Sequence, residues 1–195
     1  MKKIISIALV IACVCMLFAC GGPSAKDFQT AIDASNPTSV KITTLTVTPG
    51  LGGLTGEYFV TYNADGSAAI NGNYQVWETI PTDGSEFSEE GKKSVPVSVT
   101  RNADGTYSDE SFAESADLAA LALKLEGVSA DCTFSEDGNT LTVTVAKDST
   151  EAVFGTAFAY DIKLTVRKGV SNVEKVTLEY VTGASTVTVE TAFTY

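Results

Sequence analysis

From Val40 onward, apolar and polar residues mostly alternate, the period expected of strands with one face on a core and the other in water. Val40 to Thr48 is rich in β-branched residues and runs into a glycine-rich turn, Pro49 to Gly53. Tyr58, Val60 and Tyr62 alternate, Asn63-Ala64-Asp65-Gly66 follows, and then Tyr74, Val76 and Ile80. Pro81 to Ser94 is polar and reads as a loop, after which Val95, Val97 and Val99 lead to a second Asn-Ala-Asp-Gly at Asn102 to Gly105. Val128 to Ser135 turns at Glu136-Asp137-Gly138-Asn139 into Thr140 to Ala146. Phe154, Phe158, Tyr160, Ile162, Leu164 and Val166 then alternate over a long run. Gly169 to Asn172 turns this run into Val173 to Thr182, and Thr186 to Tyr195 closes the series. Successive strands joined by tight turns predict an antiparallel meander of about seven or eight strands.

Two segments carry the helical period instead. Ser24-Ala25-Lys26-Asp27 has the form of a capping box, Phe28, Ala31 and Ile32 share one face, and Asn36-Pro37 ends the helix. Ser111-Phe112-Ala113-Glu114 is a second capping signal, and Asp117 to Glu126 consists of strong helix formers stopped by Gly127. Leu118, Ala119, Leu121, Ala122, Leu123 and Leu125 cover more than one face of that central helix, so it must be buried on several sides. A strongly curved antiparallel sheet wrapped around it meets the requirement. The expected fold is therefore mainly β (α+β), with an N-terminal helix and a buried central helix.

The N-terminus has a different character. Lys2 and Lys3 precede an apolar run, Ile4 to Phe18, and Ala19-Cys20-Gly21-Gly22 is a small-residue exit. This is the layout of a secretory leader; a spanning helix needs about 20 apolar residues with flanking anchors. Leu17-Phe18-Ala19-Cys20 resembles the lipobox of bacterial lipoproteins, in which the cysteine is thioether-linked to diacylglycerol and becomes the first residue after cleavage. Val10-Ile11-Ala12-Cys13 is a rival match, but acylation there would leave Val14, Met16, Leu17 and Phe18 as an exposed apolar stub. The expected organisation is a leader over residues 1–19, a short tether over 20–25 and one domain over 26–195. That resemblance implies an N-terminal lipid anchor on the extracytoplasmic side of a bacterial membrane, in the cell envelope; a monomer is expected.

The order of elements adds a second resemblance. A capped helix, three strands, a loop, a mid-chain helix and a late meander resemble the half-barrel of the LolA/LppX class of lipoprotein carriers, over residues 24–195. It implies a lipid or other apolar ligand between curved sheet and central helix. Tyr58, Tyr62, Tyr74, Phe158 and Tyr160, with Leu118 and Leu121 of the helix, are the candidate lining residues.

Charge and composition narrow the chemistry. The chain carries 13 basic and 24 acidic residues, and losing Lys2 and Lys3 with the leader makes it more acidic still. Nucleic acid is excluded as a partner, because it requires clustered Lys and Arg. Histidine is absent, which removes Ser-His-Asp and Cys-His catalysis and His-ligated metal sites. Beyond Cys20 the only cysteine is Cys132, in a strand-like stretch with Ala130 and Phe134, so no intrachain disulfide is expected in the mature chain. Asn63–Gly66, Asn102–Gly105 and Glu136–Gly138 invite a calcium reading, but each supplies one or two acids where calcium needs six or more oxygens. Asp-Gly between alternating strands is a hairpin signal, and these are read as turns. Pro49-Gly50-Leu51-Gly52-Gly53-Leu54 lacks the Lys-Ser/Thr of a phosphate loop and precedes a strand. The carboxylate pairs Glu89-Glu90, Asp109-Glu110 and Glu136-Asp137 lie in polar loops, unlike the cleft acids of glycosidases. A non-enzymatic protein without a cofactor is expected. The alternative to an apolar-ligand carrier is an envelope interaction module that binds a protein or glycan through its β-sheet surface.

Overall fold

The computed structural model describes residues 23–49, 52–77, 93–109, 123–128 and 132–195. Its frame is one sheet of nine strands: β1 (Ser39–Thr48), β2 (Gly52–Tyr62), β3 (Ala68–Trp77), β4 (Lys93–Arg101), β5 (Thr133–Phe134), β6 (Thr140–Val145), β7 (Ile162–Lys168), β8 (Val173–Thr182) and β9 (Ser185–Thr194). The spatial order is β4-β3-β2-β1-β9-β8-β7-β6-β5, every neighbouring pair is antiparallel, and the sheet does not close on itself. Two meanders are thus joined at the centre by β1 and β9, in register from Ser39↔Thr194 to Val47↔Thr186.

One face of the sheet is apolar and covered. Val40, Ile42, Tyr58, Val60, Ile70, Val99, Leu141, Val143, Leu164, Val166, Val176, Leu178 and Val189 all lie on it and are buried. The opposite face is solvated. Cross-strand ion pairs join Lys41 to Glu57 (2.8 Å), Lys175 to Glu190 (2.9 Å) and Lys163 to Glu179 there. These exposed pairs are each worth at most about 1 kcal/mol, so the face is held by the ladder and the core beneath it.

Helix α1 (Ala25–Ala34) crosses the covered face. The Asp27 carboxylate accepts the Ser24 backbone N–H (2.7 Å) and hydroxyl (2.9 Å), which fixes the first turn. Phe28 and Ala31 point to the sheet and are buried. Gln29 then captures the segment that ends the expected central helix, donating to Leu123 O (3.2 Å) and accepting from Leu125 N (2.6 Å). These bonds favour an extended Lys124 and a short 3-10 turn at Leu125–Gly127, so the expected helix does not continue to Glu126. Leu118, Leu121 and the body of that helix lie outside the described residues, as does most of the Pro81–Ser94 loop; Ser94 itself belongs to β4.

The long alternating run is also corrected. Thr150–Phe154 is a short helix, α2, closed by Gly155 at φ 72°, and the strand starts only at Ile162. Buried Thr150 decides this locally: its hydroxyl donates to Lys147 O (2.7 Å) and accepts the Phe158 N–H (2.9 Å), pulling the loop over the helix end. Among the described residues between Val128 and Ser135, Thr133 and Phe134 are strand and Cys132 is not.

The three acidic turns are built alike. Asp65 Oδ1 accepts both the N–H (2.9 Å) and hydroxyl (2.7 Å) of Ser67, and Asp104 does the same with Thr106 (3.0 and 2.7 Å). Asp137 accepts from the Ser135 hydroxyl and the Asn139 N–H. Each carboxylate is therefore spent on its own turn, and Gly66, Gly105 and Gly138 take the positive φ. The hydroxyl bonds, with the backbone bonds second, hold all three carboxyls below the ordinary value of 3.8. A depressed carboxyl adds stability above its unfolded value and loses it as pH falls through the folded one. Stability should accordingly hold from neutrality to about pH 4 and then fall. Urea midpoints between pH 2 and 7 should show a shallower acid limb in Asp65→Asn/Asp104→Asn/Asp137→Asn.

Candidate functional site

The covered face carries a strip of hydroxyls through otherwise apolar surroundings. Across it, Tyr74, Gly56, Thr44, Val189, Leu178, Leu164 and Val143 stand in one cross-strand row, and Gly72, Tyr58, Ile42, Thr191, Val176, Val166 and Leu141 in the next. Tyr58 lies over Gly56. A Cβ there would sit 2.4 Å from Tyr58 Oη and 2.6 Å from Thr44 Oγ1, so both hydroxyls converge on the space that glycine leaves. Thr191 is 1 % exposed, and neither its Oγ1 nor that of Thr44 finds a hydrogen-bond partner among the described residues. Leaving a buried hydroxyl unmet costs about 1–3 kcal/mol, so such a pair on a core face calls for an explanation.

The aromatic candidates divide into two groups. Tyr58 and Tyr74 meet edge to face, ring centroids 5.0 Å apart, on β2 and β3 beside the hydroxyl strip. Tyr62 shares their face at the hairpin end of β2, and burial pushes its phenol up to about 12. Phe158 and Tyr160 lie elsewhere, in the loop before β7. Phe158 packs edge to face on Phe154 at 5.5 Å, and Tyr160 stacks flat on Tyr180, 5.2 Å and 4° from parallel. Three ladder steps separate β8, which carries Tyr180, from β2, roughly 14 Å at the usual strand spacing. One compact aromatic pocket is therefore not formed by these residues alone. Leu118 and Leu121 fall outside the described residues.

The Tyr160–Tyr180 stack borders a groove of about 690 Å³ at the sheet end formed by Val145, Ile162, Thr182 and Ser185. Lys147, Asp161, Lys163 and Glu179 ring it, two cations against two anions, and Val181 stands exposed beside them. Its local charge is balanced within a strongly acidic chain. The chemistry suits a polar, uncharged surface with an apolar face better than an ion.

Sequence reasoning missed Thr44, Thr191 and Tyr180. The two threonines occupy apolar positions of an alternating pattern, which is the signal they offered; for Tyr180 there was none. Among the described residues no group of three or more Cys, Asp or Glu is placed to hold a metal ion. Half-buried Cys132 packs against the core. Asp137 is committed to its turn; Glu89, Glu90 and Glu110 lie outside the described residues. No helix among the described residues is long and apolar enough to cross a membrane.

No family model and no curated protein matches the chain. Among solved structures it is similar to the crystal structure of LprF from Mycobacterium bovis, at 13% identity over 88% of this chain and 94% of that one, with a TM-score of 0.46. A likeness at that level carries no functional argument. The mostly β, antiparallel architecture stands on its own strand order and register.

Proposed function

We propose that this chain is a bacterial lipoprotein, acylated at Cys20, held on the extracytoplasmic side of a membrane and non-enzymatic. It takes a lipid or other apolar ligand against the covered face of its sheet, which curves around the segments packed on it. The observation that carries the ligand reading is the hydroxyl strip. Thr44, which meets Tyr58 over Gly56, and Thr191, across Ile42 from Tyr58, set buried polar atoms among Ile42, Leu178 and Val189, the pairing a molecule with an apolar chain and a polar head would satisfy. The anchor reading rests on the lipobox pattern at Leu17 to Cys20.

A single substitution tests the ligand reading. Thr191→Val keeps the shape and removes the hydroxyl. Without a ligand partner the change is neutral or stabilising, since it deletes an unmet polar atom. Native mass spectrometry of detergent-free protein should show bound lipid on the parent chain and lower occupancy on Thr191→Val, with the urea midpoint of the variant equal or higher. A parent chain that carries no lipid would sink the carrier reading.

The groove beside Tyr160 and Tyr180 favours a second reading, an envelope interaction module that meets a glycan or protein there. In that case Tyr160→Ala abolishes capture of the envelope partner and leaves lipid occupancy unchanged.

A further inference from the structure

The structure indicates where the chain emerges from the domain. Pro23 lies against the Ser135–Asn139 hairpin: a Cβ on Gly138 would be 3.4 Å from Pro23 Cγ. That hairpin adjoins the Gly169–Asn172 turn between β7 and β8, because Lys168 N donates to Asn139 O at 2.9 Å. Asn139, Arg167, Lys168, Gly169, Val170 and Glu174 line one shallow groove between them. Within it Arg167 pairs with Glu174 (3.1 Å), and the Lys168 ammonium sits 5.5 Å from the Phe28 ring centroid.

Val170 is the exception. It is fully exposed at 103 %, at the tip of the turn, more than any other large apolar residue among the described ones. Neighbouring charges are already engaged, so the tip offers water an apolar side chain and little else. Two residues, Gly21 and Gly22, separate Cys20 from Pro23, and the chain spans at most about 3.6 Å per residue. An acyl chain on Cys20 therefore holds this end of the sheet within roughly 11 Å of the lipid headgroups. The opposite end, with Thr48, Gly52, Thr182 and Ser185, lies one strand length further, about 30 Å.

We propose that the sheet end bearing the Ser135–Asn139 hairpin and the Gly169–Asn172 turn lies on the bilayer, with Val170 entering its surface. The groove beside Tyr160 and the sheet end at Thr48 and Gly52 are then directed away from it. Lys26, Arg167 and Lys168 flank the contact and Asp27, Asp137 and Glu174 offset them one for one, so apolar contact and tether length set the orientation, and anionic lipid is not required. The proposal rests on acylation at Cys20.

The test uses the full lipidated chain in vesicles of phosphatidylethanolamine and phosphatidylglycerol, with or without bromine on the acyl chains. Val170→Trp and Thr186→Trp are both at exposed sites and report from the two ends; the signal of Trp77 is taken from the parent chain and subtracted. The indole introduced at 170 should lose most of its emission in brominated vesicles, and the indole at 186 should lose none. Equal quenching at both sites, or quenching at 186 alone, overturns the orientation while flotation with the vesicles upholds the anchor. A parent chain that does not float, or a Cys20→Ala chain that floats as well as the parent, overturns the anchor and the orientation with it.

Discussion

Gly72→Ala is expected to lower stability by about 3 kcal/mol or more, the upper range for overpacking a filled site. Gly72 stands opposite Tyr58 in the β2–β3 ladder. A Cβ would lie 2.0 Å from Glu57 O, 2.8 Å from Tyr58 Cα and 2.9 Å from Glu57 C. All three are backbone atoms in mid-ladder, with no rotamer to swing away. The strands must separate, and with them the Tyr58–Tyr74 contact next to the hydroxyl strip. Gly56→Ala provides the comparison, because the atoms it meets are the hydroxyls of Tyr58 and Thr44 and the end of the Tyr58 ring. It should cost less and act mainly on the strip. At a urea slope of about 2 kcal/mol per molar, Gly72→Ala moves the midpoint down by about 1.5 M. An unchanged midpoint would mean that β2 and β3 part freely at this pair.

Phe28→Ala should cost about 3–5 kcal/mol, the usual range for emptying a buried phenylalanine site. Phe28 has no exposed surface, its ring centroid is 6.0 Å from that of Phe134, and Lys168 stands over it. It fixes α1 to the β5–β7 side of the sheet, and α1 in turn holds Leu123 and Leu125 through Gln29. The variant should show a lower thermal midpoint and earlier proteolytic cleavage near α1. Phe28→Leu, which keeps most of the volume, should lose much less. If cleavage near α1 is unchanged while the midpoint falls, the helix is held by its Ser35 contacts to Val173, where the Ser35 hydroxyl accepts the Val173 N–H at 3.0 Å.

Much of this fold was legible because its rules are local. Period-two alternation marked β1, β4, β6, β8 and β9 closely and the second half of β2, whose first residues, Gly52 and Gly53, read as turn; Asp-Gly marked the turns, since only glycine takes the positive φ there without strain. The same locality explains the misses. Alternation through Phe154 and Phe158 looked like a strand, yet Thr150 bonds across the segment and Gly155 ends a helix turn, so side-chain-to-backbone bonds within the segment outweighed a weak periodic signal.

For the candidate site, Tyr58 and Tyr74 were readable as aromatics of adjacent strands, and Tyr160 was readable only as an aromatic. Its stacking on Tyr180 depends on how the loop before β7 folds back on β8.

By itself, the sequence determined the β character of the chain, the positions of its Asp-Gly turns and the face that residues of the alternating strands occupy. These follow from backbone geometry and residue chemistry within a few positions. Tertiary structure alone decided that β1 pairs with β9, and hence that two meanders form a single open sheet. That pairing set Thr191 opposite Ile42 and one strand over from Thr44, so that the two hydroxyls share the covered face. Alternation specifies which face a residue takes but never which strand lies next to it; that choice belongs to long-range packing.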